Sequence, residues 1–383
     1  MVYRTLGRTG IQVSEIGLGG EGFEDKSQDE VQKIVDCAFK HGINFFDVYN
    51  SNPEMRSSLG TALKNYPRSS FAVQGHMCSV WKNGQYERSR NMDEVKAAYE
   101  DFFKRMQIDY IDAGMIHYVD TENDYNSVMN GPVLEYAQQL KKEGRIRCIG
   151  MSTHNNEVAL KAAASGTIDV ILFSINAAYD MLPTTDDVDS LFKKDTFSGR
   201  TYEGVDAKRD ELYRYCQNNG VALTVMKCFA AGVLLNAAES PFEKAMTPVQ
   251  CMHYCLTRPG VAAVMAGVSS IDQLLSDVEY ETASNAEKDY STVLAHAPRK
   301  SFNGHCMYCG HCAPCPRGIN VASVNKYLDL ALVQKSVPET LRDHYKLLAH
   351  HADECIACGS CMRNCPFGVD VISRMKQAAQ LFG

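Results

Sequence analysis

Two runs near the C-terminal end decide the reading of this chain: Cys306-Met307-Tyr308-Cys309-Gly310-His311-Cys312-Ala313-Pro314-Cys315-Pro316 and Cys355-Ile356-Ala357-Cys358-Gly359-Ser360-Cys361-Met362-Arg363-Asn364-Cys365-Pro366. Together they hold eight of the fifteen cysteines, and each closes on Cys-Pro. The second has the spacing C-x2-C-x2-C-x3-C-P; the first is one residue shorter before its last cysteine. Three thiolates two residues apart can wrap one face of an iron–sulfur cubane, and a fourth must come from further off. Zinc ribbons use C-x2-C pairs, two per ion, and do not call for sets of three followed by Cys-Pro. A disulfide framework belongs to small secreted chains, and no apolar leader is seen between Met1 and Gly10.

The second run resembles the bacterial-ferredoxin run that ligates a 4Fe–4S cluster. In two-cluster ferredoxins the fourth cysteine of each run serves the other cluster. The resemblance therefore implies two 4Fe–4S clusters, one on Cys306, Cys309, Cys312 and Cys365, the other on Cys355, Cys358, Cys361 and Cys315. It makes 299–383 a small α-helical ferredoxin-like domain and leaves 1–298 as a separate unit, a size typical of an α/β barrel.

Working outward, the 383 residues carry a net charge of −7 with no basic patch, so nucleic acid is not an expected partner. No run of 18 apolar residues is present, so no membrane span is expected. A cytoplasmic, reducing and anaerobic setting is the simplest for such clusters.

Residues 1–298 alternate short apolar runs with amphipathic helical patterns, the mark of βα units. A hairpin over 3–13, turned at Arg8-Thr9-Gly10, is expected to plug a barrel floor. Strands are expected at Ile16–Gly19, Ile43–Tyr49, Ser70–Gln74, Tyr110–His117, Arg147–Ser152, Ile168–Ser174, Ala222–Met226 and Ala262–Ala266. A polar loop runs to Met92 after the third, and a long loop follows the sixth. Ser27 and Glu30 form a capping box before the first helix. A last helix at 286–297 leads to the cysteine-rich domain. Eight strand–helix units make a (β/α)8 TIM barrel, an α/β fold whose function sits at the C-terminal ends of its strands.

Those ends carry a family resemblance. Tyr3-Arg4-Thr5-Leu6-Gly7 with Ile16-Gly17-Leu18-Gly19, Asn44-Phe45-Phe46-Asp47, Asp109-Tyr110-Ile111-Asp112 leading to Ile116-His117, Ile149-Gly150-Met151-Ser152, and Gly267-Val268-Ser269-Ser270 with Gln273-Leu274 resemble the corresponding stretches of aldo-keto reductases. With its tail, the whole chain resembles the iron–sulfur branch of that family. The family uses Asp, Tyr, Lys and His: Tyr protonates the carbonyl, Lys lowers its pKa, Asp pairs with the Lys, and His orients the substrate. Asp47 and His117 stand where the family places them. The Tyr position is Asn52, and Tyr49 is the nearby phenol. The Lys position falls in Gln74-Gly75-His76, with His76 the nearest ionisable group. An imidazolium near a phenol favours phenolate as an ammonium does. Asp47, Tyr49, His76 and His117 are therefore the expected acid–base set, against the alternative that they merely cap and pack.

The resemblance also implies a nicotinamide cofactor, NADP or NAD. Ser152 and Thr153 replace the pair that holds the carboxamide, Met226-Lys227 replaces the stacking aromatic, and Gly267, Ser269, Ser270 and Gln273 form the phosphate-gripping loop, which could equally be a helix cap. The loop Ser79–Asn91, with Trp81, Lys82, Tyr86, Arg88 and Arg90, is expected to shape the site for a small polar substrate, Arg88 and Lys82 offering charge to an anionic group. Cys251 and Cys255, spaced C-x3-C, lack a third partner and read as helix core. Three functions remain open: an oxidoreductase interconverting carbonyl and alcohol, with clusters relaying electrons to a ferredoxin or flavin carrier; a redox-neutral lyase, dehydratase or isomerase with structural clusters; and an electron-transfer module on a decayed barrel.

Overall fold

Leu6, Ile11 and Val13 pack inside a closed barrel, against Phe45, Ala72, Ala113, Val170 and Ala222. They belong to a hairpin of β1 (Tyr3–Thr5) and β2 (Gln12–Ser14), whose turn ends on Gly10 at φ 74°, a left-handed conformation that glycine adopts without strain. A computed structural model describes residues 1–182, 204–294, 304–334 and 336–383. The barrel strands are β3 (Ile16–Gly19), β4 (Phe45–Val48) and β5 (Ala72–Met77), then, after a two-stranded excursion of β6 (Ser79–Lys82) and β7 (Gln85–Arg88), β8 (Ile111–Ile116), β9 (Ile146–Thr153), β10 (Val170–Ser174), β11 (Ala222–Met226) and β12 (Val261–Gly267). All eight pair in parallel, and β12 closes on β3.

The eight strands lie where the apolar runs place them. Two departures matter. The third barrel strand runs on to Met77, which puts His76 inside the sheet. The expected polar loop contains the hairpin β6–β7, in which Asn83 and Gly84 adopt φ 51° and 77°. That pair of positive angles is the two-residue turn for which Asn-Gly is the strongest local signal. A helix over Glu122–Met129 is also additional. Several βα junctions are capped by a short polar side chain accepting from the first turn: Ser27, Asn52, Asn91, Asn155, Asp206 and Ser270. The boundary at 298/299, the end of the helix expected at 286–297 and most of the long loop after the sixth strand fall outside the described residues.

The cysteine-rich region is helical, with helices Val321–Leu332, Glu339–Lys346 and Val371–Phe382. It docks on the outer helices and floor of the barrel. Arg258 and the Tyr290 hydroxyl both donate to the Met307 carbonyl at 2.5 Å, Arg214 donates to the Asp329 carbonyl at 2.7 Å, and Gln217 donates to His344 at 3.0 Å. Gln217 and Gly220 precede β11 and Arg258 precedes β12, so these contacts lie at the end opposite the strands' C-termini. Among the described residues, no helix is long and apolar enough to cross a membrane.

Candidate active site and cluster cavities

At the C-terminal ends of the strands lies a cavity of about 550 Å³ lined by Glu21, Asp47, Tyr49, His76, Tyr86, His117, Ser152, His154, Met226, Lys227 and Gly267, among others. Four of these residues form a continuous hydrogen-bonded chain. Asp47, on β4, meets His76 Nε2 at 3.0 Å. His76 Nδ1 meets His117 Nδ1, just past β8, at 2.8 Å, and His117 Nε2 meets the Tyr86 hydroxyl, on β7, at 2.5 Å. Asp47, His76 and His117 are buried.

The proton positions follow from the partners. A carboxylate only accepts, so the Nε2 facing Asp47 carries the proton and Nδ1 of neutral His76 accepts. His117 must then donate from Nδ1 and accept at Nε2, leaving Tyr86 to donate its hydroxyl proton. Every member is satisfied in this one arrangement. Burial, followed by the charges of His76, Arg90 and Arg88, holds His117 well below the usual imidazole range. Burial pushes the Tyr86 phenol up to about 12, partly offset by Arg88.

Gln74 lies in the stretch Gln74-Gly75-His76 where the family resemblance would place the Lys, and Asn52 stands at the Tyr position. Gln74 donates to Asp47 Oδ1 at 2.6 Å and accepts from Thr224 at 3.1 Å. Asn52 caps helix Pro53–Leu63, accepting from the amides of Glu54 and Met55 at 2.9 and 3.0 Å. Tyr49 stacks on His117 with ring centroids 5.6 Å apart and planes 11° from parallel. Burial, together with the nearby Glu21 carboxylate, raises the pKa of the Tyr49 hydroxyl far above the phenol range. Tyr49 thus walls the cavity, and the phenol on the histidine chain is Tyr86. The sequence alone reads Tyr86 as part of a substrate-shaping loop; it lies on strand β7, and the Asn83-Gly84 turn is the sequence signal for that strand.

Arg90 holds this corner together. It donates to the carbonyls of His117 and Tyr118 at 2.9 and 3.0 Å and pairs with Asp124 at 2.6 Å. Arg88 lies over the Tyr118 ring at 3.7 Å, close to the cavity. Lys82 is paired with Glu94 at 2.5 Å and faces away from the cavity, so it offers no charge to a ligand there.

The residues expected around a nicotinamide separate into two groups. Ser152, Met226, Lys227 and Gly267 line the cavity, and no atom lies within 4 Å of where a Cβ on Gly267 would stand. Ser152 accepts from the Tyr118 amide at 2.8 Å. Thr153 is turned away, donating to Asp120 at 3.0 Å; Asp120 also takes the His154 amide at 2.6 Å. Burial raises the Asp120 carboxyl, but the hydrogen bonds from His154 and Thr153 outweigh it and hold it below its ordinary value. Ser270 caps helix Ile271–Val278 through the Gln273 amide at 3.2 Å, and the Gln273 side chain accepts from the Ser269 amide at 2.8 Å. The loop therefore presents a helix N-terminus beside the mouth with its own side chains already engaged.

In the tail, two water-sized cavities sort the cysteines. One is lined by Cys306, Cys309, Cys312 and Cys365, the other by Cys315, Cys355, Cys358 and Cys361. Among the described residues no group of three or more His, Cys, Asp or Glu closes tightly enough for a single ion. Cys251 and Cys255 are buried on helix Pro248–Thr257, as core.

Comparison with known proteins agrees with this architecture. The sequence model of the aldo/keto reductase family matches residues 15–251, and that of the 4Fe-4S dicluster domain matches residues 305–370. The chain is 26% identical over 306 residues to L-galactose dehydrogenase of Arabidopsis thaliana, covering 72% of this chain and 86% of that one. It is 26% identical over 250 residues to the NADH-specific methylglyoxal reductase of Escherichia coli, covering 60% and 68%. The holo form of an aldo-keto reductase from Bacillus halodurans superposes with a TM-score of 0.58 at 23% identity, covering 78% of this chain and 97% of that chain, a likeness of fold. The chain is a member of the aldo/keto reductase family, an oxidoreductase barrel carrying a C-terminal 4Fe–4S domain.

Proposed function

We propose that this enzyme interconverts a carbonyl and an alcohol on a small polar substrate, with Tyr86 as the acid–base group and His117, His76 and Asp47 as its proton relay. The observation that carries the reading is the unbroken hydrogen-bonded chain from the cavity to a buried carboxylate. In the oxidative direction the substrate hydroxyl gives its proton to the Tyr86 oxygen as the Tyr86 proton passes to His117 Nε2. The His117 Nδ1 proton moves to His76 Nδ1. The positive charge therefore ends beside Asp47, where an opposite charge stabilises it, and not on His117, where burial and neighbouring cations oppose it. Reduction runs the same transfers in reverse.

The cavity can take a nicotinamide, held by Ser152, the backbone after β11 around Lys227, and the open space at Gly267. When bound, that group supplies or accepts the hydride. The helix N-terminus at Ser269 and Ser270 suits its phosphates, with Gln273 setting the loop; Thr153 braces Asp120 instead. Arg88, above Tyr118, is the charge available to an anionic substrate group. NADP and NAD are both compatible with the residues present.

In the tail, Cys306, Cys309, Cys312 and Cys365 hold one 4Fe–4S cluster and Cys315, Cys355, Cys358 and Cys361 a second. The support is that each cavity is lined by one full set of four. Such clusters supply single electrons, and the exposed Cys358 edge gives a ferredoxin or flavin carrier its point of approach. A reducing, cytoplasmic setting suits eight cluster thiolates.

Anaerobic protein titrated with NADH and with NADPH tests the cofactor: saturable fluorescence change with at least one is expected, and binding of neither rejects the reading. Tyr86→Phe tests the relay. Turnover should fall by about 10²–10³-fold with nucleotide affinity unchanged, whereas Tyr49→Phe should cost less than about tenfold. Equal losses in the two variants would return Tyr49 to the acid–base role. A redox-neutral lyase or isomerase is favoured by one feature, the replacement of the family lysine by a relay that moves protons without any cofactor. Product formation without net change in nucleotide absorbance would establish it.

A further inference from the structure

A second cavity, about 700 Å³ against about 550 Å³ at the barrel mouth, opens elsewhere on the molecule. It lies between the barrel floor and the cysteine-rich domain. From the barrel come Arg4, Thr5, Arg8, Gln217 and Thr257; from the other domain come Tyr308, Ser323, Lys326, Thr340 and His344. No Asp or Glu lines it, although the chain has 46 acidic residues against 39 basic. We infer that this cavity binds a phosphate-bearing small organic molecule across the two domains.

Charge carries the inference. Arg4 and Arg8 are committed to Glu15 at 2.5 Å and Asp169 at 3.0 Å, neither of which faces the cavity. Lys326 has no hydrogen bond or ion pair among the described residues, and stands in the field of Arg4 and Arg258. Burial, then those two guanidinium groups, bring its pKa down to about 7. The partners of Gln217 orient His344 as well. Gln217 accepts from the Gly260 amide at 2.8 Å, so its amide nitrogen donates to His344 Nδ1 at 3.0 Å. The other ring nitrogen, Nε2, then carries the hydrogen and is a donor. An ammonium partly enclosed among cations costs free energy that an anion would offset. The volume falls in the range of small-molecule sites and exceeds what one inorganic ion needs, and the rings of Tyr308 and Tyr327 provide apolar walls for an organic body.

The test uses the full chain with its clusters assembled, under anaerobic calorimetry, with fructose 1,6-bisphosphate and inorganic phosphate as probes. Saturable binding of the bisphosphate at one per chain is expected, with inorganic phosphate weaker. Lys326→Met should weaken the bisphosphate by about tenfold or more, while Lys326→Arg stays within about threefold. Lys346→Met, on the next helix but outside the cavity, should leave it unchanged. Should Lys326→Met lose the visible cluster absorption, Thr340→Glu, exposed at the rim, serves instead and should weaken binding to a similar degree. Absence of saturable binding by either probe overturns the inference. So does binding that Lys326→Met (or Thr340→Glu in its place) leaves intact, or that Lys346→Met weakens equally.

Discussion

Asp277 shows how a single buried group can set the pH response. It is 4% exposed on helix Ile271–Val278, and burial pushes its carboxyl up to about 7. In the unfolded chain the same group titrates near pH ~4. Between those values the unfolded chain binds fewer protons than the folded one, so stability falls as pH rises. Asp277→Asn should remove that slope and stabilise the protein at pH 8 by up to ~4 kcal/mol, read from chemical unfolding at pH 5 and pH 8. An equal slope in both proteins would refute the assignment. The proposed acid–base residues differ in how legible they are in the sequence. Asp47 and His117 are readable because their backbone neighbours match a known strand end. His76 is readable as the only ionisable group near a missing lysine. Tyr86 is not, because its role depends on a hairpin folding back to within hydrogen-bond distance of a strand 31 residues further along the chain. No local pattern reports that approach.

At the level of elements, barrel strands announce themselves, since a strand buried on both faces must be an unbroken apolar run. Ala222–Met226 and Ile16–Gly19 coincide with their expected bounds for this reason. The hairpin β6–β7 has one face toward solvent and charged residues along it, so polarity masked its strand character. Its turn nevertheless has mechanistic weight, because Gly84 at φ 77° sets the register that pairs Trp81 with Tyr86. Gly84→Val places a β-branched residue in left-handed space at a cost of about 1–2 kcal/mol. The hairpin lies outside the barrel, so turnover should drop by about tenfold or more while the melting temperature moves by less than about 3 °C. A large fall in melting temperature with normal turnover of the folded fraction would contradict this placement. Beneath the mouth, Asp180 accepts from Arg209 at 2.9 Å, Tyr213 at 2.5 Å and Tyr254 at 2.7 Å, all buried. Asp180→Ala strands a buried guanidinium and should cost about 3–5 kcal/mol of unfolding free energy.

Over the whole molecule, the cysteine-rich domain wraps short helices around two cavities lined by thiols; Val321 and Met375 line one of these cavities, while Leu330, Leu341 and the Tyr345–Phe382 stack, with ring centroids 4.2 Å apart, pack beside them. Metal and folding are coupled in such units. Anaerobic removal of iron should make residues after 304 sensitive to limited proteolysis while the barrel keeps its far-ultraviolet signal. Resistance of the iron-free tail would show that protein contacts alone hold it. Domain order was legible from the cysteine spacing, but the docking face was not. It depends on tertiary pairs such as Arg258 with Met307 and Gln217 with His344, which leave no periodic trace. That docking face has a kinetic corollary. The tail sits against the barrel's floor and outer helices, and the hydrogen-bonded chain from Asp47 to Tyr86 opens at the other end. Under the function proposed above, a redox protein engaged on the tail and a small substrate entering the mouth would use separate entrances. Neither needs to leave before the other arrives, so raising the concentration of one should alter maximal velocity for the other without competing for its site.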